Sequence, residues 1–556
     1  MASRVILSIC LFALTIMFAP DISLANTHPA MDEMDMTGAM TGAPVDYGLG
    51  PGRGRVWAPP PSGPGAAKRG LTASAKAGYV LGSVSPGPSN AGVAGYFDPP
   101  VSWPINGLHE ILLPDGRVLN YGSSPTGSQT AQFIYDVWTP SLGVGSNAHT
   151  VLPNTTQTDI FCSEQSMIWS TGQVLITGGD MTTSGTRNYS NNATTIFSPQ
   201  TNTIAAAGSM TYARWYPSMV AMPNGDMVTL GGRLAPFVPA TTPEVYNPAT
   251  GWRVLTGANS TVAFANNSYG WYYPRAFLKS DGTVFILDAY GHMWSVNTAG
   301  FGTISQYPGY TAAHSALLPV VMYAPDKILF WGVNFLATTV NYSGAKPVST
   351  PAGAIDQMRY YSNATVMADG TVLVNGGSAV ANQLPGDLTA LIWSPVTRAW
   401  TTGASAVKAR LYHSIALLLP DATVLTGGGG SPGPVTNLNA EIYYPPYLYL
   451  NDGSGMPAPR PTLAAAPPAA VVGQTVAATV GLTDVISRVT FVRTGSVTHT
   501  HNNDQRFIDA AFAQNGNVVT ATLPTNANVM VPGYYMMFVH QNGVPSVSQI
   551  ILVTAQ

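Results

Sequence analysis

Four stretches of the sequence carry residues whose side chains bind transition metals or take part in redox chemistry. Cys162 lies in "IFCSEQ" and Tyr216 in "ARWYPS". Tyr412 and His413 are adjacent in "RLYHS", and His499 lies in "VTHTHN". Imidazole nitrogen, phenolate oxygen and thiolate sulfur are all donors for first-row metals. These residue types permit a metal or redox site if the fold brings the four stretches together.

Each residue also has a structural interpretation. A lone buried cysteine such as Cys162 usually acts as a small apolar side chain, and tyrosines usually fill the core or an interface. His413 follows a tyrosine and could simply be a hydrogen-bonded histidine. His499 and His501 are two residues apart on a predicted strand, where they would share one face. They would then chelate together or form a solvated pair.

The N-terminus has the pattern of a secretory signal over residues 1–25. Arg4 precedes an apolar run over residues 5–18, and Ser23 to Ala25 form a small-residue cleavage site. Cys10, the only cysteine besides Cys162, lies inside this segment. The mature chain would keep a single thiol and could form no intramolecular disulfide. We expect the protein to be secreted, either outside the cell or into a periplasm.

The composition favours short strands and tight turns. Charged residues make up 9% of the chain, and there are 57 glycines and 45 prolines among 556 residues. A formal net charge of -3 without a run of lysine or arginine gives no footprint for nucleic acid or an anionic membrane. No later stretch reaches the ~20 apolar residues of a membrane span. We expect neither partner, and we expect a monomer.

One phrase recurs seven times: a turn, a β-rich run and usually a glycine pair, as in "STGQVLITGGD" and "ADGTVLVNGGS". The spacing is close to the ~50-residue kelch period. The fold class that this predicts is all-β, with a seven-bladed kelch-type β-propeller over residues 96–450. The aligned positions are Val118, Val174, Val228, Val284, Ile328, Val372 and Val424.

The segments on either side of the repeats differ from them in composition. Residues 26–95 are rich in Gly, Pro and Met and predict a disordered leader, whose methionines could offer soft donors or simply be solvated. A Gly/Pro linker then precedes residues 456–556, where short alternating strands predict a C-terminal immunoglobulin-like β-sandwich.

Together these stretches resemble the galactose oxidase and glyoxal oxidase family of copper radical oxidases, across about 450 of the 556 residues. The most specific phrases are "RLYHS" with its glycine-rich continuation, "THTHNNDQR", and "FC" followed by "ARWYPS". The resemblance implies a C-terminal domain of the galactose oxidase-like early set type. It also implies one copper ion per chain.

The resemblance further implies a role for each matched residue. Cys162 would be joined through sulfur to the ring of Tyr216, and this protein-derived cofactor would hold a radical. Tyr216, His413 and His499 would be equatorial copper ligands. Tyr412 would be the axial ligand and general base. Cys162, Tyr216 and Tyr412 would thus be the catalytic residues.

Around this site the sequence departs from the sugar-oxidising branch and is more similar to glyoxal oxidases. An ungapped count places Leu234 where that branch has a tryptophan. Phe161 matches a pocket aromatic of the family. Trp215 is either another aromatic beside the site or an outward-facing side chain. Arg275 is close to the position of the sugar-binding arginine, and His501 has no assigned role.

The function expected from the resemblance is oxidation of small aldehydes or primary alcohols, coupled to reduction of O2 to H2O2. The partners would be that small-molecule substrate and O2. One alternative is a galactose or alcohol oxidase of the same family. The other is a kelch-propeller protein that binds carbohydrate or protein and has lost the chemistry.

Overall fold

The computed structural model describes residues 79–183, 186–265, 272–332 and 334–556. The predicted signal peptide and the methionine-rich segment lie outside the described residues. In the described ranges the chain is built from β-strands, as predicted, and helices are short. The helical segments are Ala91–Ala94, Pro140–Leu142, Ser146–Ala148, Thr256–Ala258, Thr261–Phe264 and Pro446–Leu448.

The predicted disordered leader extends too far towards the C-terminus. Tyr79 is buried, with its ring centroid 6.0 Å from that of Trp138. Its hydroxyl donates a hydrogen bond to Asp421 Oδ2 at 3.0 Å. Residues 79–95 therefore pack against the folded chain, because this aromatic side chain gains apolar contacts and satisfies its hydroxyl there.

Antiparallel sheets form a propeller-like arrangement, in which five sheets are separate. The first contains His109–Leu112, Val118–Tyr121, Ile134–Trp138, His149–Pro153, Ser496–Thr498 and His501–Asn502. The second contains Arg275–Leu278, Val284–Leu287, His292–Asn297 and Thr303–Tyr310. The third contains Val320–Ala324, Lys327–Trp331, Leu336–Asn341 and Val348–Ala354. The fourth contains Asn363–Val366, Val372–Asn375, Thr389–Trp393 and Trp400–Ser405. The fifth contains Tyr96–Phe97, Val101–Ser102, Ser414–Leu418, Val424–Gly428 and Asn439–Tyr444.

The prediction of seven separate blades is wrong in its count, because the strands between residues 164 and 254 form one nine-stranded sheet. The 19-residue strand Thr203–Ala221 joins them. Its first part pairs with Thr186–Ser198 and its last part pairs with Met227–Ala235. The remaining strands of this sheet are Glu164–Ile168, Gln173–Thr177, Asp180–Thr183, Val238–Pro239, Glu244–Asn247 and Gly251–Val254.

The C-terminal strands form a separate nine-stranded β-sandwich-like sheet. A buried cluster that includes Val476, Phe491 and Tyr535 forms its core. The strands are Leu463–Ala465, Ala469–Val471, Thr475–Val480, Arg488–Arg493, Phe507–Asn515, Val518–Thr522, Gly533–Gln541, Val544–Pro545 and Gln549–Thr554.

A hairpin between two of these C-terminal strands crosses into the propeller-like part. We call residues 496–502 the axial hairpin. Its strand Ser496–Thr498 pairs with His109–Leu112, with His109 opposite Thr498. The C-terminal region therefore completes the first sheet and delivers His499 beside the N-terminal strands.

Among the described residues, no helix combines the length and the apolar character needed to cross a membrane.

Candidate metal centre

Tyr216 is held by a buried ion pair two residues before it in the sequence. The guanidinium of Arg214 donates to Glu244 Oε2 at 2.9 Å, and both side chains are completely buried. The other carboxylate oxygen of Glu244 accepts a hydrogen bond from the backbone N–H of Thr211 at 2.7 Å. Since each charged group is paired and hydrogen-bonded, the pair fixes the chain just before Tyr216.

Tyr412 is positioned by the same construction. Arg410, also two residues earlier, donates to Glu441 Oε2 at 2.9 Å in a buried pair. Glu441 Oε1 accepts from the backbone N–H of Val407 at 2.7 Å. The sequence Ala-Arg-X-Tyr thus occurs at both sites, and in each the buried arginine fixes the backbone just before the tyrosine.

The glycine pairs of the repeats make room for these two arginines. Gly178 has φ +68°, and a Cβ there would lie 2.2 Å from the carbonyl oxygen of Arg214. Gly376 has φ +72°, and a Cβ there would lie 2.5 Å from the carbonyl oxygen of Arg410. Only glycine fits both the conformation and the close approach.

Four of the predicted site residues have left-handed backbone conformations, which are uncommon outside glycine. The φ angles are 57° at Cys162, 64° at Tyr216, 67° at His413 and 44° at His499. Such conformations cost about 1 to 3 kcal/mol each and persist where the surroundings fix them. All four lie at turns or strand irregularities that direct side chains to one place.

The structure brings the predicted residues together. Donor atoms of Cys162, His413 and His499 lie within 4.8 Å of one another. Cys162 Sγ is 3.7 Å from His499 Nε2, and the hydroxyls of Tyr216 and Tyr412 are hydrogen-bonded to each other. All five side chains are buried. The two most distant of them, Cys162 and His499, are 337 residues apart in sequence.

The two histidines have the orientation and protonation that metal ligands need. His413 Nδ1 donates to the carbonyl oxygen of Gly430 at 2.8 Å, which leaves a buried Nε2 without a partner. His499 Nδ1 bonds Thr498 Oγ1 at 2.5 Å. Burial lowers the pKa of His413 to about 3 and the pKa of His499 well below 6.5. Neutral imidazoles with a fixed second nitrogen, beside two phenols, fit Cu(II).

Backbone hydrogen bonds hold Cys162 beside Tyr216. The N–H of Tyr216 donates to the carbonyl oxygen of Cys162 at 3.0 Å. The N–H of Cys162 donates to His109 Nε2 at 3.1 Å. The thiol and the phenol ring therefore belong to a turn and a neighbouring strand that are already hydrogen-bonded to each other.

The predicted neighbours of the site lie in different places. Phe161 is 5.4 Å from His413 between ring centroids. Trp215 is buried and its ring is only 3.9 Å from that of Tyr216, so the outward-facing alternative is wrong. Arg275 donates to Thr500 Oγ1 at 2.9 Å and so supports the turn next to His499.

The interpretation of His499 and His501 as a pair on one strand face is wrong. Residues 499 and 500 form the turn of the axial hairpin, with φ 44° and 64°. The two-residue alternation of a strand therefore does not apply between the two histidines. His501 is buried rather than solvated.

Sequence reasoning missed several aromatic or basic neighbours of the site, including His109, Tyr273 and Arg233. His109 bonds the Cys162 turn and has its ring 5.6 Å from that of His499. Tyr273 has its ring 4.9 Å from that of Tyr216 and donates to Ser163 O at 2.9 Å. The third is Arg233. Only Tyr273 carried a signal, since it lies in the phrase "YYPRAF" that also contains Arg275.

Comparisons with known proteins give one consistent family. The family model described as "Galactose oxidase-like, Early set domain" matches residues 460–553. A galactose oxidase of Gibberella zeae is 28% identical over 497 residues, which cover 83% of this chain and 71% of the relative. Aldehyde oxidase GLOX1 of Arabidopsis thaliana is 25% identical over 479 residues, covering 75% of each chain.

A solved structure is similar over most of its length. It is that of a novel fungal alcohol oxidase with catalytic diversity among the AA5 family, in complex with copper. It is 25% identical, with a TM-score of 0.73, and the match covers 83% of this chain and 100% of that chain.

Proposed function

Because the chain belongs to the galactose oxidase and glyoxal oxidase family of copper radical oxidases, we propose that it oxidises small aldehydes or primary alcohols with O2. An alcohol would give an aldehyde and H2O2, and a hydrated aldehyde would give a carboxylic acid and H2O2. Each turnover removes two electrons and two protons from substrate and transfers them to O2. The observation that carries this proposal is the buried group of Cys162, Tyr216, Tyr412, His413 and His499.

In this proposal His413 and His499 would hold copper through Nε2, and the two phenolic oxygens would be the protein's other donors. When bound, copper would accept one electron of each pair and provide an open position for substrate and O2. Tyr216, joined to Cys162 Sγ through its ring, would accept the second electron as a radical. This division is needed because one copper ion that cycles between two states takes only one electron.

Tyr412 is proposed to accept the proton of the substrate hydroxyl at its phenolic oxygen. Its hydroxyl is hydrogen-bonded to that of Tyr216, and its ring stacks on His413 with centroids 3.6 Å apart. A free phenol titrates near pH 10, so Tyr412 needs the metal's positive charge to act as a base at neutral pH. The Tyr216 radical would take a hydrogen atom from the substrate carbon.

The substrate proposed first is a small aldehyde or alcohol of the glyoxal type. Leu234 stands where the sugar-oxidising branch has a tryptophan, and Trp215 packs on Tyr216 instead. Galactose is the second candidate, because a galactose oxidase is among the most similar relatives. We also propose that the protein is exported, acts as a monomer, and has its domain boundary between residues 450 and 456.

The test is peroxide release by the copper-loaded protein with glyoxal-type aldehydes, primary alcohols and galactose. We expect activity on at least one class, and none from Tyr216→Phe or His413→Ala. A His501→Ala variant is the matched control, since this buried histidine lies outside the described ligand group. Absence of peroxide with every substrate, from protein that retains copper, would favour the non-catalytic binding protein.

A further inference from the structure

Arg233 has a buried guanidinium group that stacks on the ring of Trp215, next to the site. Only 3% of the residue is exposed, and its Cζ lies 4.0 Å from the centroid of the Trp215 ring. The two residues are directly opposite each other in the pairing of Thr203–Ala221 with Met227–Ala235. The sheet register therefore fixes this cation–π contact.

No carboxylate in the described ranges forms an ion pair with Arg233. Its Nη2 donates to the carbonyl oxygen of Asn188, and its buried Nε has no partner. The contrast with Arg214 is direct, because Arg214 is buried to the same degree and is paired with Glu244. Burial of an unpaired charge is costly, and the partners that the structure gives this cation are the carbonyl oxygen of Asn188 and the indole face of Trp215.

Trp215 connects this charge to Tyr216. The centroid of its ring is 3.9 Å from that of Tyr216, at an interplanar angle of 45°. Arg233, Trp215 and Tyr216 thus follow one another in a single packed column inside the protein. The positive charge lies in a water-excluded region, where it acts more strongly on its neighbours than in water.

We propose that Arg233 is a positioning residue that acts through Trp215 and raises the one-electron reduction potential of the Tyr216 radical. This inference rests on the proposed function. When ferricyanide oxidises Tyr216, one electron passes from the phenolate to ferricyanide, which becomes ferrocyanide, and no proton is transferred. The phenolate loses a negative charge in this step. A nearby fixed cation favours the phenolate over the radical and so makes the radical a stronger oxidant.

The experiment equilibrates copper-loaded protein with defined ferricyanide and ferrocyanide mixtures and measures the radical by optical absorption. Arg233→Gln removes the charge, and Arg233→Lys keeps it without the planar guanidinium. Arg488→Gln is the matched control, because Arg488 lies over the Phe507 ring, at 5.4 Å, in the C-terminal sheet. Thermal unfolding of each variant verifies that it is folded.

We expect Arg233→Gln to shift the equilibrium constant about tenfold towards the radical, equivalent to a potential about 59 mV lower for one electron. Arg233→Lys should remain within about twofold of the wild type, because the inference assigns the effect to the positive charge that lysine retains, and Arg488→Gln should be unchanged. An unchanged constant in folded Arg233→Gln overturns the inference. An equal shift of the equilibrium constant in Arg233→Gln and Arg233→Lys also overturns the inference, because the effect would then come from packing and not from charge. Absence of any radical in the wild type would instead overturn the proposed function itself.

Discussion

At the scale of single residues, the proposed chemistry depends on whether Cys162 is covalently joined to Tyr216. The two residues lie in a turn and a neighbouring strand that are hydrogen-bonded through their backbones. We expect aerobic copper loading to yield one linked peptide that is lighter by two hydrogens than the sum of the two. Mass spectrometry of a digest measures this, with Cys162→Ser as the unlinked control. Recovery of fully alkylated Cys162 from loaded protein would contradict the link.

The second prediction at this scale separates ligands from a buried bystander. His413→Ala removes an unpartnered Nε2 from the ligand group, so copper should be lost at stoichiometric loading. His501→Ala removes a histidine outside that group and should reduce the retained copper far less. Atomic absorption after gel filtration gives both values. Equal loss in the two variants would mean that His501 also binds the metal.

The residues at the site were predictable where a phrase carries them, and otherwise were not. "RLYHS" and "ARWYPS" point to Tyr412, His413 and Tyr216 through the family resemblance that these phrases carry, whereas the buried pairs of their arginines are seen only in the structure. Arg233 has no such phrase. Its contact with Trp215 arises from the register of two strands, which no short-range pattern in the sequence specifies.

At the scale of structural elements, the buried Arg410–Glu441 pair should be worth much more than an exposed one. Glu441→Gln leaves Arg410 as an unpaired buried charge. We expect it to lower the free energy of unfolding by about 3 to 5 kcal/mol. Asp509→Asn is the control, since the Arg488–Asp509 pair is exposed and should contribute less than about 1 kcal/mol. Chemical denaturation of both variants measures the difference. Equal losses would show that Glu441 does not hold the Tyr412 turn.

Near the turn that carries Cys162, a group of mostly buried charges should make the free energy of unfolding depend on pH. Arg187 bonds both Asp159 and Asp180, at 2.6 and 2.9 Å. Burial and the neighbouring Asp159 carboxylate raise the pKa of Asp180 above its ordinary value of 3.8. The folded state therefore binds the proton more tightly than the unfolded state, and this contribution to stability is lost as pH rises above 3.8.

An Asp180→Asn variant tests this dependence because its side chain does not titrate. The free energy of unfolding of the wild type, relative to the variant, should fall as pH rises from 4 towards neutrality. Urea denaturation at several pH values measures it. A relative stability that rises over this range would show that the pKa of Asp180 is lowered by Arg187 instead.

The strands themselves were predictable from the repeats, because each repeat combines a turn, an alternating run and a glycine pair. The grouping of these strands into sheets was less predictable. Thr203–Ala221 continues past the point where one sheet should end, and pairs with Thr186–Ser198 over its first part and with Met227–Ala235 over its last part. Whether a strand stops or continues is decided by its partners, and those are set by the tertiary structure.

At the scale of the whole molecule, the site combines the proposed copper ligands from distant parts of the chain. Tyr216, Tyr412 and His413 come from the propeller-like part, and His499 comes from the axial hairpin. The linker and the change in strand pattern predicted a propeller followed by a C-terminal β-sandwich. They did not predict that the second part would complete the first sheet, because this pairing joins residues almost 390 positions apart.

Copper should therefore stabilise the complete molecule through His499. A ligand that binds only the folded state adds about 2.7 kcal/mol at a hundredfold excess over its dissociation constant. We expect His499→Ala to lose most of the rise in melting temperature that copper gives the wild type. Calorimetry with and without copper measures it. An undiminished rise in the variant would remove His499 from the ligand set.

Because the axial hairpin lies late in the sequence, the site can be completed only near the end of translation. A ribosome makes His499 long after Cys162, Tyr216 and the Tyr412–His413 turn, so a nascent chain that contains all of these still lacks one imidazole. The first sheet also lacks two strands until residues 496–502 emerge. In the proposed function, maturation would therefore wait for chain completion: a truncated or stalled polypeptide would carry Cys162, Tyr216, Tyr412 and His413 without His499, and so without the full set of proposed copper ligands.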